Sequence, residues 1–251
     1  MNYFIVIPSY NRIDQIQEKT LKLLKNHKID MDKVYVFTDP SEYKLYKKEL
    51  KKWKVNVIKS KDSILQTRNH IIKYFDNNIK IVEMDDDVED IQTTKKGKAN
   101  QSIKNLKKFF NESFELIGPQ GLWGMNSNTN NYFATGDDKK GLYSIVNSCL
   151  GYINNKKIKL TVQEKEDFER CLQFYKLKLP IIKRCGYGIK TKYWTNKGGI
   201  QSKYNFEKRV EVQKESAEAL MSKYPGCCFK RIRKNGIVDI RFKRDPLKVY
   251  L

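Results

Sequence analysis

Long apolar runs are missing from this chain, histidine and proline are scarce, and acidic residues are too few to balance the basic ones. No uninterrupted hydrophobic stretch approaches the roughly 20 residues that a bilayer-spanning helix needs. The start, Met1-Asn2-Tyr3-Phe4-Ile5-Val6-Ile7-Pro8, has no basic leader and turns polar after six residues, so it reads as a first strand and not a signal peptide. The expectation is a protein without membrane association, cytoplasmic (the host cytoplasm for a viral chain) or nuclear in a eukaryote. The five cysteines (Cys149, Cys171, Cys185, Cys227, Cys228) are odd in number and lack metal-ligand spacing, which suits structural thiols in a reducing compartment. Both histidines, His27 and His70, precede the acidic cluster at 85–87, so water, a ligand's phosphates or another carboxylate would have to complete a metal shell there.

What is present is positive charge. The 251 residues carry 50 Lys+Arg against 29 Asp+Glu, a formal charge of +21. Lys, Asn, Ile and Tyr are all abundant, and a coding bias explains why the cation is usually Lys. It does not explain the missing acids. A field of this sign attracts polyanions: nucleic acid, anionic membrane or phosphorylated ligands. The imbalance concentrates late, with 18 Lys/Arg against 6 Asp/Glu from residue 183 onward.

The chain is long enough to bury a core without disulfide or metal staples. Tyr3–Ile7, Val34–Thr38, Val55–Ile58 and Lys80–Met84 read as strands. Helix-like stretches at 13–26, 42–50 and 63–75 separate them. This βαβαβαβ order predicts an α/β fold with a mostly parallel, Rossmann-like central sheet and ligands at the carboxyl ends of its strands. Residues 93–102 read as a polar mobile loop, 103–117, 163–176 and 207–223 as helices, and 142–152 as an apolar segment. Arg231–Lys234 and Val238–Phe242 read as a basic hairpin turning at Asn235-Gly236. Residues 1–204 are expected to form the main domain, with 205–251 a basic helix-and-hairpin extension packed on it.

The strongest chemical signal is Asp85-Asp86-Asp87 at the end of an apolar strand. Three adjacent carboxylates repel one another, and a divalent cation relieves that cost. Mg²⁺ or Mn²⁺ suits one or two carboxylates plus substrate phosphates. Residues i and i+2 point the same way on a strand, so Asp85 and Asp87 are the expected metal ligands. The first loop, Pro8-Ser9-Tyr10-Asn11-Arg12, offers an aromatic ring for a base and a cation for phosphate; Asp39 ends the second strand, and Arg68 could reach a phosphate or be a surface cation.

The order of Pro8-Ser9-Tyr10-Asn11-Arg12, Arg68-Asn69 and Asp85-Asp86-Asp87 resembles the nucleotide-binding half of GT-A glycosyltransferases. Glu166-Asp167-Phe168-Glu169-Arg170 resembles the acidic motif of inverting members. With Lys190-Thr191-Lys192-Tyr193 and Lys197-Gly198-Gly199-Ile200-Gln201, the set is similar to the TET-associated glycosyltransferases, relatives of the base J glucosyltransferase, over roughly residues 3–203. The resemblance implies transfer of a sugar, commonly glucose from UDP-glucose, onto the hydroxymethyl group of a modified pyrimidine in DNA. It implies donor contacts from Pro8, Ser9, Tyr10, Arg12, Asp39, Arg68, Asp85 and Asp86. It makes Asp167 the base, and Gly198, Gly199 and Gln201 a loop over the pyrophosphate or acceptor. Lys192, Arg231, Arg233, Lys234, Arg241 and Arg244 are the candidate nucleic-acid contacts, with Tyr193 or Trp194 as stacking partners for a flipped base. The partners expected are a UDP-sugar and hydroxymethylated DNA, with no obligate protein partner. A glycosyltransferase acting on a glycan or protein, a non-enzymatic basic DNA-binding module, and a nucleotidyltransferase are the competing readings.

Overall fold

The computed structural model describes residues 2–134, 136–191, 198, 206–233 and 236–243. In chain order these form β1 (Tyr3–Ser9), α1 (residues 13–26, with a π-helical stretch at Gln17–Leu21), β2 (Val34–Thr38), α2 (Tyr43–Glu49), β3 (Asn56–Lys59), α3 (Ile64–Tyr74) and β4 (Lys80–Met84). Then come β5 (Asp90–Thr93), β6 (Gln101–Ser102), α4 (Leu106–Ile117), β7 (Leu122–Asn126), β8 (Lys139–Lys140) and β9 (Cys149–Ile153). The chain continues through α5 (Glu166–Lys176), β10 (Ile181–Lys190), α6 (Phe206–Lys223), β11 (Cys228–Ile232) and β12 (Val238–Phe242).

The main sheet runs β3-β2-β1-β4-β9-β7-β10-β5-β6, with β8 beside β10. The first four strands of that order are parallel to one another, and so are β7 and β10. β9 enters antiparallel between β4 and β7. The expected parallel half is present, and the later half is mixed. The stretch read as a mobile loop instead begins in β5 and ends in β6, which pair antiparallel. Their four and two residues are too short for a period-2 pattern to stand out.

Side-chain alternation along the strands sends successive residues to opposite faces. Tyr3, Ile5 and Ile7 of β1 and Val82 and Met84 of β4 join one apolar cluster with α1, α2 and α4. Val6 and Ile81 join the other, with α3, α5, α6 and the β11–β12 hairpin. Ala217, Leu220 and Tyr224 place α6 and the turn after it in that second cluster. Glu83 falls on this second face, in the middle of an apolar strand and fully buried. Local capping starts the helices where the sequence allows: Ser63 accepts from the Gln66 N–H and Asn105 from the Lys108 N–H. Among the described residues no helix is long and apolar enough to cross a membrane.

Candidate active site

β1 and β4 are parallel neighbours, with Val6 beside Glu83, so the loops leaving their carboxyl ends emerge together. Pro8 and Ser9, expected in the loop, instead end β1 and pair with β2; Tyr10–Arg12 follow them, and Asp85–Asp87 follow β4. Ser9 Oγ donates to Asp86 Oδ2 at 2.7 Å, and Arg12 Nη1 reaches Asp86 Oδ1 at 2.9 Å and Asp87 Oδ2 at 3.2 Å. Thr20, in the π-helical stretch of α1, clasps the same loop: its hydroxyl donates to the Asp85 carbonyl at 2.8 Å and accepts from the Val88 N–H at 3.0 Å. A π stretch shifts a side chain's direction relative to a regular helix, and here it aims Thr20 at the loop.

The loop faces a cleft of about 360 Å³. It is lined by Pro8, Ser9, Tyr10, Arg12, Asp39 and residues 61–63, by Arg68, Asp85 and Asp86, and by Asn147, Ser148, residues 164–168, Arg209 and Gln213. Asp87 is not among the lining residues; Thr191 Oγ1 donates to its Oδ1 at 3.1 Å. Asp85 lines the cleft, while both carboxylate oxygens of Asp87 are engaged, one by Arg12 and one by Thr191. Asp85 keeps a carboxylate that is 31% exposed, and its pKa is raised by burial and by the adjacent Asp87 charge, against the pull of Arg68. Burial, opposed by Arg12 and reinforced by Asp87, pushes Asp86 up to about 7.

Arg68 does not reach outward as a free phosphate contact. It is 3% exposed, and its three nitrogens are used on three carboxylates. Nε donates to Glu166 at 3.1 Å, Nη2 to Asp85 at 3.2 Å, and Nη1 to Glu83. Glu83 also receives Arg170 Nη1 at 2.9 Å and the Tyr152 hydroxyl at 3.1 Å. Burial disfavours its charge, yet Arg170 and Arg68 together bring its pKa down to about 2. This ionic cluster ties α3, β4 and α5 together under the cleft. Glu83 was missed as a site-building residue, although a lone acid inside Ile81-Val82-Glu83-Met84 signals a buried cationic partner.

Asp167 lies in the first turn of α5, where the helix dipole favours negative charge. Its Oδ1 accepts the Phe168 N–H at 2.9 Å. Burial and the neighbouring Glu166 charge win over that bond, and its pKa is pushed up to about 7. A carboxyl at that value is suited to take and release a proton near neutrality. Glu169 braces the preceding loop, accepting from the Thr161 hydroxyl at 2.7 Å and from the Val162 N–H at 3.2 Å.

Gly198 packs on the first loop. Its φ is +81°, and a Cβ there would collide with the Asn11 carbonyl oxygen and lie 2.9 Å from Arg12 Cγ. Lys192, Tyr193, Trp194, Gly199, Gln201, Lys234 and Arg244 lie outside the described residues. In the hairpin, Arg231 faces Asp239 and Phe229 faces Arg241 across the strands. Arg231 and Arg241 are exposed, whereas Arg233 makes a two-point pair with Asp239 at 2.7 and 3.0 Å. Asn147, Arg209 and Gln213 line the cleft without having been singled out, because no short motif marks them.

A cation fits this site only with help. Among the described residues, no group of three or more His, Cys, Asp or Glu is arranged to hold one. The accessible Asp85 carboxylate, crowded by the Asp87 charge, suits a hard dication completed by a ligand's phosphates and water.

Solved structures share the architecture. Glucosyl-3-phosphoglycerate synthase of Mycobacterium tuberculosis with uridine diphosphate is 10% identical, with a TM-score of 0.54, over 100% of this chain and 92% of that one. The same synthase with Mn²⁺, UDP-glucose and phosphoglyceric acid gives a TM-score of 0.52 at 10% identity, over 100% and 91% of the two chains. S. aureus TarS is 12% identical with a TM-score of 0.52, over 88% of this chain and 40% of that one. These likenesses establish a GT-A glycosyltransferase fold. No curated protein matches the sequence. The family profile described as TET-Associated Glycosyltransferase matches residues 3–183, and the chain belongs to that family of glycosyltransferases.

Proposed function

We propose that the enzyme transfers a hexose, glucose as the first candidate, from a UDP-sugar to the hydroxymethyl group of a modified pyrimidine in DNA, with inversion and with a divalent cation. The observation that carries this reading is a single cleft lined by Asp85 and Asp86 and also by Asp167, whose carboxyl is pushed up to about 7 by burial and the Glu166 charge. Tyr10, Asp39 and Arg12, all lining this cleft, offer an aromatic ring, an acid and a cation to a uridine diphosphate.

In this reading the Asp167 carboxylate takes the proton of the acceptor hydroxyl. The oxygen then bonds to the anomeric carbon as the carbon–oxygen bond to the diphosphate breaks and its electron pair leaves with UDP. Attack opposite the leaving group turns an α-linked donor into a β-linked product. Asp85, crowded by the Asp87 charge, would hold the cation, which supplies positive charge where the departing diphosphate gathers negative charge. Arg12 holds Asp86 and Asp87 in place, and Arg68 fixes the spacing between Asp85 and Glu166.

Support for a DNA acceptor comes from family membership, the net charge of +21 and the exposed hairpin. Arg231 and Arg241 flank Phe229, itself 47% exposed, so cations for phosphate and a ring for stacking share one surface. The edge contact of Phe168 with Phe242, ring centroids 5.5 Å apart, ties that hairpin to the helix bearing Asp167. The test is incubation of the protein with Mn²⁺, radiolabelled UDP-glucose and duplexes containing cytosine, 5-hydroxymethylcytosine or 5-hydroxymethyluracil. Label in a hydroxymethylated duplex alone is expected. Donor hydrolysis with no label in any DNA would move the acceptor to a glycan or protein.

A further inference from the structure

The cleft contains two buried amide groups whose carbonyl oxygens have no hydrogen-bond partner among the described residues. Gln213, on α6, is 3% exposed, and its Oε1 is unpaired. Asn147, just before β9, is 7% exposed; its Nδ2 donates to Glu166 Oε1 at 2.9 Å, and its Oδ1 is unpaired. Both line the cleft. A buried acceptor left unpaired is costly, and it persists where a ligand completes it. Two such acceptors in one cleft call for a ligand with N–H or O–H donors, and a hexose is rich in the latter.

Their position narrows the choice. Asn147 shares Glu166 with Arg68, and Arg68 in turn holds Asp85. Asn147 is thus linked to the end where a diphosphate would leave, and its partner Glu166 adjoins the base Asp167. The space between leaving group and base is where the transferred sugar must sit. α6 is held at the cleft by Arg209 Nε on Glu164 Oε1 at 2.9 Å and by the Glu164 N–H on Ser216 Oγ at 3.2 Å. α6 also begins after residue 183, where the family match ends, so Gln213 lies in the basic C-terminal segment outside the matched residues.

We propose that Gln213 and Asn147 form a subsite that reads hydroxyl groups of the transferred hexose, with Gln213 a specificity-determining residue supplied by the C-terminal segment. The inference rests on the UDP-sugar reading above. Calorimetric titration of the full chain in Mn²⁺ with UDP and then UDP-glucose separates the two. Gln213→Leu and Asn147→Leu should bind UDP within twofold of the unmodified protein, while UDP-glucose loses about tenfold, the worth of one good hydrogen bond. At least one monodeoxy UDP-glucose should lose the same factor against the unmodified protein and nothing against Gln213→Leu. Gln213→Met, matched in length and helix preference, repeats the measurement if the leucine variant does not fold. UDP-glucose binding as tight in the variants as in the unmodified protein overturns the subsite. So does a change confined to the KM for DNA, which would assign the two amides to the acceptor. An unmodified protein that binds neither UDP nor UDP-glucose overturns the donor reading itself.

Discussion

The Arg68 Nε–H donates to Glu166 Oε1 at 3.1 Å, joining residues 98 positions apart. One planar cation thereby spaces the acid beside the proposed base from Asp85 at the donor end. A guanidinium presents its donors in a fixed fork, so the separation of the two acids is set by a rigid group and not by flexible chains.

Arg68→Met tests that role. Removing the cation leaves Glu83, Asp85 and Glu166 short of a partner in a buried setting, and breaking a buried pair this way costs about 3–5 kcal/mol. Urea unfolding at neutral pH should show a loss of that size, and Arg68→Lys should recover little of it. A loss of under about 0.5 kcal/mol, ordinary for a surface site, would place Arg68 outside the folded framework.

Asp167→Asn should lower transfer by about 10²–10⁴-fold, the usual worth of a positioned base, while UDP binding stays unchanged. In the unmodified protein, kcat/KM should rise with pH as Asp167 loses its proton near 7 and level off above it. The sign follows from the mechanism: only the deprotonated carboxylate can accept the hydroxyl proton. A rate that falls as pH rises from 6 to 8 would remove Asp167 from that role.

Asp85→Asn and Asp87→Asn should each reduce the thermal stabilisation given by UDP with Mn²⁺ relative to UDP alone. The Asp85 effect is expected to be the larger, because its carboxylate is open to the cleft whereas Asp87 is engaged by Arg12 and Thr191. Equal shifts with and without Mn²⁺ in the unmodified protein would separate donor binding from a metal.

Arg231→Ala with Arg241→Ala should weaken binding to any duplex and reduce the slope of log K against log salt by up to about two, since each phosphate contact contributes close to one. Arg233→Ala should change the slope less, because Asp239 already neutralises that guanidinium. Filter binding across a salt series reads both.

Gly198→Ala should impair turnover without unfolding the protein. The residue holds φ +81° and has no room for a Cβ beside the Asn11 carbonyl, so the loop must move off Arg12. A kcat and KM both within twofold of the unmodified protein would show that this contact does not matter.

Local pattern sufficed for part of this protein. The strand–helix alternation up to Met84, the acidic cluster ending β4, the helix carrying Asp167 and the hairpin were legible because they depend on neighbours within a few residues: short apolar runs closed by Pro, Asp or Gly, and helical spacing of apolar residues. Tertiary structure alone decided what those residues face. Arg68 sits in a helix whose sequence is equally consistent with a surface cation, and only the packing of α3 against α5 and β4 buries it among three acids. Likewise β9, inserted antiparallel between β4 and β7, brings Asn147 to the cleft, and the docking of α6 brings Gln213. Contacts across such separations leave no periodic trace in a single chain, because each partner's local sequence satisfies its own helix or strand whichever element it meets.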